Sequence, residues 1–157
     1  MTLLETLDRD LIKVPLSSAD GSSVIDELVG LYAAKQGLPQ AEASSIAAAV
    51  KAREALGSTA MENGIAIPHA KTSAVSTPGL AAMTVPAGVD YDSADGEPAT
   101  LLFLIAAPEG EANTHLEVLS RLSTLLLDAD FCARLRAATT PDEFRRLVDE
   151  REDARIA

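Results

Sequence analysis

Arg53-Glu54-Ala55-Leu56-Gly57-Ser58-Thr59-Ala60-Met61-Glu62-Asn63-Gly64-Ile65-Ala66-Ile67-Pro68-His69-Ala70-Lys71 is the stretch around which the chain is organised. It runs off the end of a helical pattern and turns through Gly57. After a polar turn at Glu62 to Gly64 it enters a short apolar run, Ile65 to Ile67, which stops at Pro68 and is followed by His69, one of two histidines. Helix, turn and strand in that order predict an α/β fold. A reactive group at the end of a short strand is held by the sheet yet faces outward, where α/β proteins place their chemistry.

Working outward from there, the segment before Arg53 reads as a helix entered at Pro39, with Ile46, Ala49, Val50 and Arg53 on one face. Arg53 ends an apolar stripe instead of pointing into water. An earlier helix starts at Ser22 or Ser23, carries Val24 or Ile25, Leu28, Leu31 and Tyr32 inward, and stops at Gly37. Before it, residues 11–16 form a short first strand, and Pro15 favours an edge or strand-end position.

Beyond His69, residues 72–79 are a polar loop, residues 80–85 a strand, Val89 to Tyr91 a short further strand, and residues 93–98 a turn. Residues 100–107, Thr-Leu-Leu-Phe-Leu-Ile-Ala-Ala, are apolar without alternation, which suits a central strand covered on both faces. Asn113 or Thr114 caps a helix carrying His115, whose apolar stripe continues through Leu119, Leu122 and Leu126. A shorter helix starts at Asp130. Thr140-Pro141-Asp142-Glu143 is a capping box that opens a terminal helix on Phe144, Leu147 and Val148. The whole reads as one α/β domain, a sheet of four or five strands with helices on both sides. Residues 151–157 read as a fraying tail or the start of a linker.

Composition narrows the function. A formal charge of -11 without a basic run argues against a nucleic-acid partner. The lone Cys132 can form no internal disulfide and reads as a buried bystander. No secretory signal and no run of membrane-span length is present, which points to the cytoplasm. Neither a G-x-G-x-x-G nor a G-x-x-x-x-G-K-[ST] occurs, so no nucleotide cofactor is expected, and the two histidines lack a metal-ligand spacing even with Glu62 or Glu117.

His69 after a strand, His115 at a helix start and Arg53 at the end of an apolar face together suggest an anion site. A phosphoryl group needs a nucleophile to take it, charge-assisted donors on its oxygens and, preferably, a helix N-terminus nearby. A neutral imidazole at His69 can serve as that nucleophile. Plainer readings stand beside this one: His115 as a hydrogen-bonded core residue, Arg53 as a rim residue with its stem on the core, and Ser58 and Thr59 as turn and cap residues.

Residues 53–69 resemble the active-site signature of the fructose and mannitol type of phosphotransferase-system IIA domains (PTS EIIA type 2), nitrogen-regulatory branch included. The residues that carry the likeness are Arg53-Glu54, Gly57-Ser58-Thr59, the run from Gly64 to His69, and the distal His115-Leu116. The resemblance covers residues 1–150 and implies a mannitol-specific EIIA-like fold, a single α/β domain with a mixed β-sheet of four or five strands flanked by helices on both sides, and a phosphotransferase with a phosphohistidine intermediate. His69 would accept phosphate, usually on Nε2, from the phosphocarrier protein HPr and pass it to an EIIB domain or protein. His115 would contact the phosphoryl group without carrying it, Arg53 would lie near the site, and Ser58 and Thr59 would support it. Association with a membrane EIIC component is left open. Fructose-type sugar uptake is the first reading and a nitrogen-type regulatory protein the alternative; the sugar is beyond this chain. Glu62, and to a lesser degree Ala60, stands where many members have glycine, and Glu62 is expected to face solvent or a partner.

Overall fold

The computed structural model describes residues 9–14, 21–60, 63–91, 96–110 and 112–156, without the side chains of 9, 21–23, 112–115 and 153–156. A 3-10 turn at Arg9–Leu11 leads into β1 (Ile12–Lys13), followed by α1 (Gly21–Gln36), α2 (Gln40–Leu56), β2 (Ile65–Ala66), β3 (His69–Thr72), β4 (Gly79–Val89), β5 (Ala99–Pro108), α3 (Ala112–Leu125), α4 (Ala129–Ala137) and α5 (Pro141–Ile156). The sheet runs β1-β4-β5-β2, with β3 also on β5. β1 is parallel to β4, β4 antiparallel to β5, and both β2 and β3 parallel to β5, so the sheet is mixed.

Residues 100–107 form the centre of the sheet, as their unbroken apolar character requires: Leu101 to Ala107 are all buried. The other long strand differs from expectation. Val89 does not open a strand of its own but ends β4, whose pairing with β5 is irregular between Thr84 and Val89. Pro86 cannot donate to a ladder, and an irregularity there lets one strand continue past it. β1 is an edge strand, although Pro15 itself lies outside the described residues.

Helices cover both sides of the sheet. α1 packs on α2 and against β4 and β5, and α2 packs against β3. α4 packs on α5 and against β5, and Phe144 of α5 meets Phe103 of β5 with ring centroids 6.0 Å apart. Gly37, at φ 68, ends α1 as the sequence indicates, with Leu38 N donating to Ala33 O at 2.9 Å. α1 starts at Gly21, so Ser22 and Ser23 lie inside the helix and are not its cap. Pro39 takes the N-cap position of α2. α4 is capped by Asp128, whose carboxylate accepts from Asp130 N and Phe131 N. In α5, Thr140 Oγ1 accepts from Glu143 N at 3.1 Å, the first half of the expected capping box.

Over residues 151–156 the backbone is helical, α5 running to Ile156. Arg151 pairs with Asp128 at 3.1 Å, and the buried Glu152 lies 3.9 Å from Arg121 of α3. Two of the charges that read as a solvated tail, Arg151 and Glu152, thus have partners on neighbouring helices. Among the described residues no helix is long and apolar enough to cross a membrane.

Candidate active site

At the end of α2 the chain is tied down residue by residue. Arg53 Nη1 donates to the carbonyl of Gly57 at 2.7 Å, turning its guanidinium onto the bend that follows its own helix. The Glu54 carboxylate accepts from Thr59 N at 3.1 Å through one oxygen and from the Thr59 hydroxyl through the other. Ser58 Oγ donates to the Tyr91 carbonyl at 2.7 Å and accepts from Ala60 N at 3.1 Å. Ser58 and Thr59 thus fasten the turn, the plainer of their two readings.

The fastened turn then lies along the open edge of β2. Ala60 and Ala66 form an antiparallel bridge, and Ile67 N donates to Thr59 O at 3.2 Å. β2 and β3 keep one register against β5, Ile65 opposite Leu101 and His69 opposite Ile105, so they are two halves of a strand broken at Ile67-Pro68. Pro68 still accepts from Ile105 N at 3.0 Å but has no N-H to give, and the ladder lapses there.

His69 therefore starts a strand; the expectation that it ends one is corrected. The sequence pattern treats proline as a terminator, whereas here β5 supplies a template on which pairing resumes one residue later. Side chains alternate along a strand, so His69 shares a face with Ile105 and Phe103, the face that Phe144 covers. Its ring is half-buried, with Nδ1 2.9 Å from the carbonyl of Ile67. A carbonyl oxygen can only accept, so Nδ1 carries the proton and the neutral ring keeps its lone pair on Nε2.

A second clamp holds the polar turn before β2. Arg136 of α4 donates from Nε to Thr100 Oγ1 at 2.9 Å and from Nη2 to the carbonyl of Asn63. Gly64 O accepts from Thr100 N at 2.8 Å and Leu101 N at 3.1 Å. Gly64 has φ 75, and a Cβ there would come within 3.1 Å of Pro98 O and of Thr100 Oγ1, so the position requires glycine. Glu62, two residues earlier, lies outside the described residues.

His115 falls in the first turn of α3, which follows the end of β5. Its side chain is outside the described residues, as are those of Asn113 and Thr114; α3 starts at Ala112, ahead of both expected caps. Cys132 is buried, its Sγ donating to Leu126 O at 3.4 Å, and burial pushes its thiol pKa up. Nothing there suits a nucleophile. Among the described residues no group of three histidine, cysteine or acidic side chains could hold a metal.

Sequence reasoning gave no role to Glu54, Tyr91 or Arg136. Glu54 was visible inside the quoted stretch, five residues before the Thr59 it holds. Tyr91 and Arg136 are remote in sequence from what they touch and left no local signal. Tyr91 is buried, and its Oη has no partner in hydrogen-bonding geometry, yet it lies near Glu54. Burial first, then the Glu54 charge, raise its pKa.

Over residues 5–151 the sequence matches the family described as phosphoenolpyruvate-dependent sugar phosphotransferase system, EIIA 2. The chain belongs to this family. Membership makes this EIIA domain a phosphotransferase with a phosphohistidine intermediate, and HPr and EIIB are the typical partners of such domains. The EIIA domain is 41% identical over 152 residues to the PTS system fructose-specific EIIABC component of Bacillus subtilis, a match covering 97% of the chain and 24% of that protein. It therefore spans about a quarter of that relative's length. It is 38% identical over 143 residues to a nitrogen regulatory protein of Pseudomonas aeruginosa, covering 91% of the chain and 90% of that protein. The crystal structure of nitrogen regulatory protein IIA-Ntr from Neisseria meningitidis matches the EIIA domain with a TM-score of 0.83 and 28% identity, covering 92% of this chain and 97% of that one.

Proposed function

We propose that His69 is the phosphorylated residue, that it accepts through Nε2 from HPr, and that it passes the group to an EIIB acceptor. The observation that carries this reading is the Nδ1 contact with the Ile67 carbonyl, which leaves the nucleophilic lone pair on Nε2. As the P-N bond of the carrier phosphohistidine breaks, a P-N bond forms to Nε2, and the carrier imidazole leaves with the bonding electrons. With the carrier ring protonated on its other nitrogen it leaves as neutral imidazole, and no proton has to move. The ring gains positive charge in the product, and the carbonyl dipole facing Nδ1-H stabilises it.

Arg53 and His115 are proposed as donors to the phosphoryl oxygens, Arg53 with a planar fork and His115 from a helix first turn. In this role Arg53 would release the Gly57 carbonyl when the anion arrives. Of the two branches, we favour the nitrogen-type regulatory one, in which the phosphohistidine state signals to partner proteins. Matching over nearly the whole length of the Pseudomonas aeruginosa protein and the TM-score of 0.83 support it, reversing the order taken from sequence. Fructose-type uptake, with an associated EIIC component, is the second reading and is favoured by the 41% identity to the Bacillus subtilis transporter.

The test is phosphorylation from phosphoenolpyruvate through enzyme I and HPr. His69→Ala loses all acid-labile label; full labelling of that variant would overturn the assignment. In single turnover, His115→Ala still accepts but transfers more slowly, since one lost charge-assisted donor costs about 3 kcal/mol. Chasing the phosphoprotein with a fructose-type EIIB separates the branches, because rapid discharge favours transport and retention of the label favours regulation.

A further inference from the structure

Three hydrogen-bonded steps run from the Glu54 carboxylate to the His69 ring: Glu54 to Thr59, Thr59 O to Ile67 N, and Ile67 O to His69 Nδ1. We infer that Glu54 is a positioning residue for His69, acting through Thr59 and Ile67 to hold the ring orientation and the Nδ1-H tautomer. The inference rests on the reading of His69 as acceptor and adds what keeps it competent.

The edge position of the β2-β3 pair makes the arrangement necessary: Gly64 and Pro68 face β5, so Ile67 between them faces away from it. At Ile67 neither backbone group is used by β5: the N-H goes to Thr59 and the C=O to the histidine. Residue 67 is thus oriented from outside the sheet, by a turn. That turn is short and carries half-exposed residues, with little packing of its own, so its conformation depends on polar contacts.

Both oxygens of Glu54 are spent on one residue, Thr59, fixing its peptide N-H and its side chain together. Fixing Thr59 aims its carbonyl at Ile67 N, and fixing Ile67 aims its own carbonyl at Nδ1. Charge-assisted bonds are about twice as strong as neutral ones, so a carboxylate suits the anchor of such a chain. The buried Tyr91, with its hydroxyl toward Glu54, limits water at the carboxylate.

The experiment is nitrogen-15 NMR of the His69 ring in the unphosphorylated protein, read beside single-turnover phosphorylation by HPr. Wild type shows the Nδ1-H tautomer. Glu54→Leu removes both acceptors; the ring then samples both tautomers, and the phosphorylation rate falls on the order of 10- to 100-fold, the scale of a small misplacement of a reacting group. Glu54→Gln can still accept from Thr59 N and donate to Thr59 Oγ1, so it recovers much of the tautomer bias and of the rate. A folded Glu54→Leu with the wild-type tautomer pattern, or a Glu54→Gln no better than Glu54→Leu, overturns the inference. Should Glu54→Leu not fold, Thr59→Val is read the same way, and an unchanged tautomer there overturns it equally. The ring spectrum needs no phosphate, so its outcome stays separate from whether His69 is the acceptor.

Discussion

β5 and the β2-β3 pair lie side by side in one register, yet they are held by different physics. β5 is paired on both sides and buried from Leu101 to Ala107; its place follows from apolar burial, which is non-directional and roughly proportional to area. The β2-β3 pair is an edge interrupted at Pro68, and the outward-facing backbone groups of Ile67, which alternation turns away from β5, go one to a turn and one to the histidine ring. The comparison teaches that the chemistry sits at the edge of the sheet next to where pairing is complete: β5 fixes the position of His69, and an outward-facing carbonyl of the edge gives its ring a partner.

Three changes sharpen this contrast. The largest effect is expected at the centre of the sheet, where Phe103→Ala removes a buried ring that packs on Phe144 and should cost about 3–5 kcal/mol in denaturant unfolding. The folded fraction should still be phosphorylated at close to the wild-type rate. A rate loss greater than the loss of folded protein would mean that core and site are not separable in this way.

At the edge the balance reverses. Gly64→Ala places a side chain at φ 75, an expected cost of about 1–2 kcal/mol. It also crowds the carbonyl and hydroxyl beside β2. Stability should fall less than in Phe103→Ala, but phosphorylation per folded molecule should fall more, since the turn feeding β2 and His69 must shift. Equal rates in the two variants would abolish the distinction drawn between the strands.

The smallest effect depends on pH. Tyr91 has a folded pKa above the ordinary tyrosine value, so the stability it contributes is complete below about pH 10 and declines as pH rises beyond it, by up to about 1.4 kcal/mol per pH unit. Tyr91→Phe removes that share of the alkaline slope. Tyr32 and Cys132, also raised by burial, contribute slopes of the same sign in both proteins. Between about pH 9 and about pH 11 the unfolding free energy of wild type should therefore fall more steeply than that of Tyr91→Phe, and a parallel pair of curves would show that burial does not raise the Tyr91 pKa.

The sequence by itself determined what depends on local pattern. An unbroken apolar run from Leu101 to Ala107 placed the central strand, helical spacing with Gly37 and the Thr140 cap bounded two helices, and the stretch from Arg53 to His69 carried the likeness to the EIIA type 2 family. Burial period, caps and turn residues act over a few positions, so they can be read along the chain.

Only the tertiary structure decided whether Pro68 ends a strand or interrupts one, because the answer lies in β5, more than thirty residues on. It likewise decided where the Ile67 backbone groups go, that Glu54 and Thr59 lie behind His69, and that Arg136 holds Asn63. The charged C-terminal residues show the same limit: Arg151 and Glu152 look solvated by composition and are placed by Asp128 and Arg121. The physical reason is common to all of these. A hydrogen bond needs a partner within about 3 Å and in line, and for groups outside helices and ladders that partner is supplied by the folded arrangement of distant segments, which no local periodicity records.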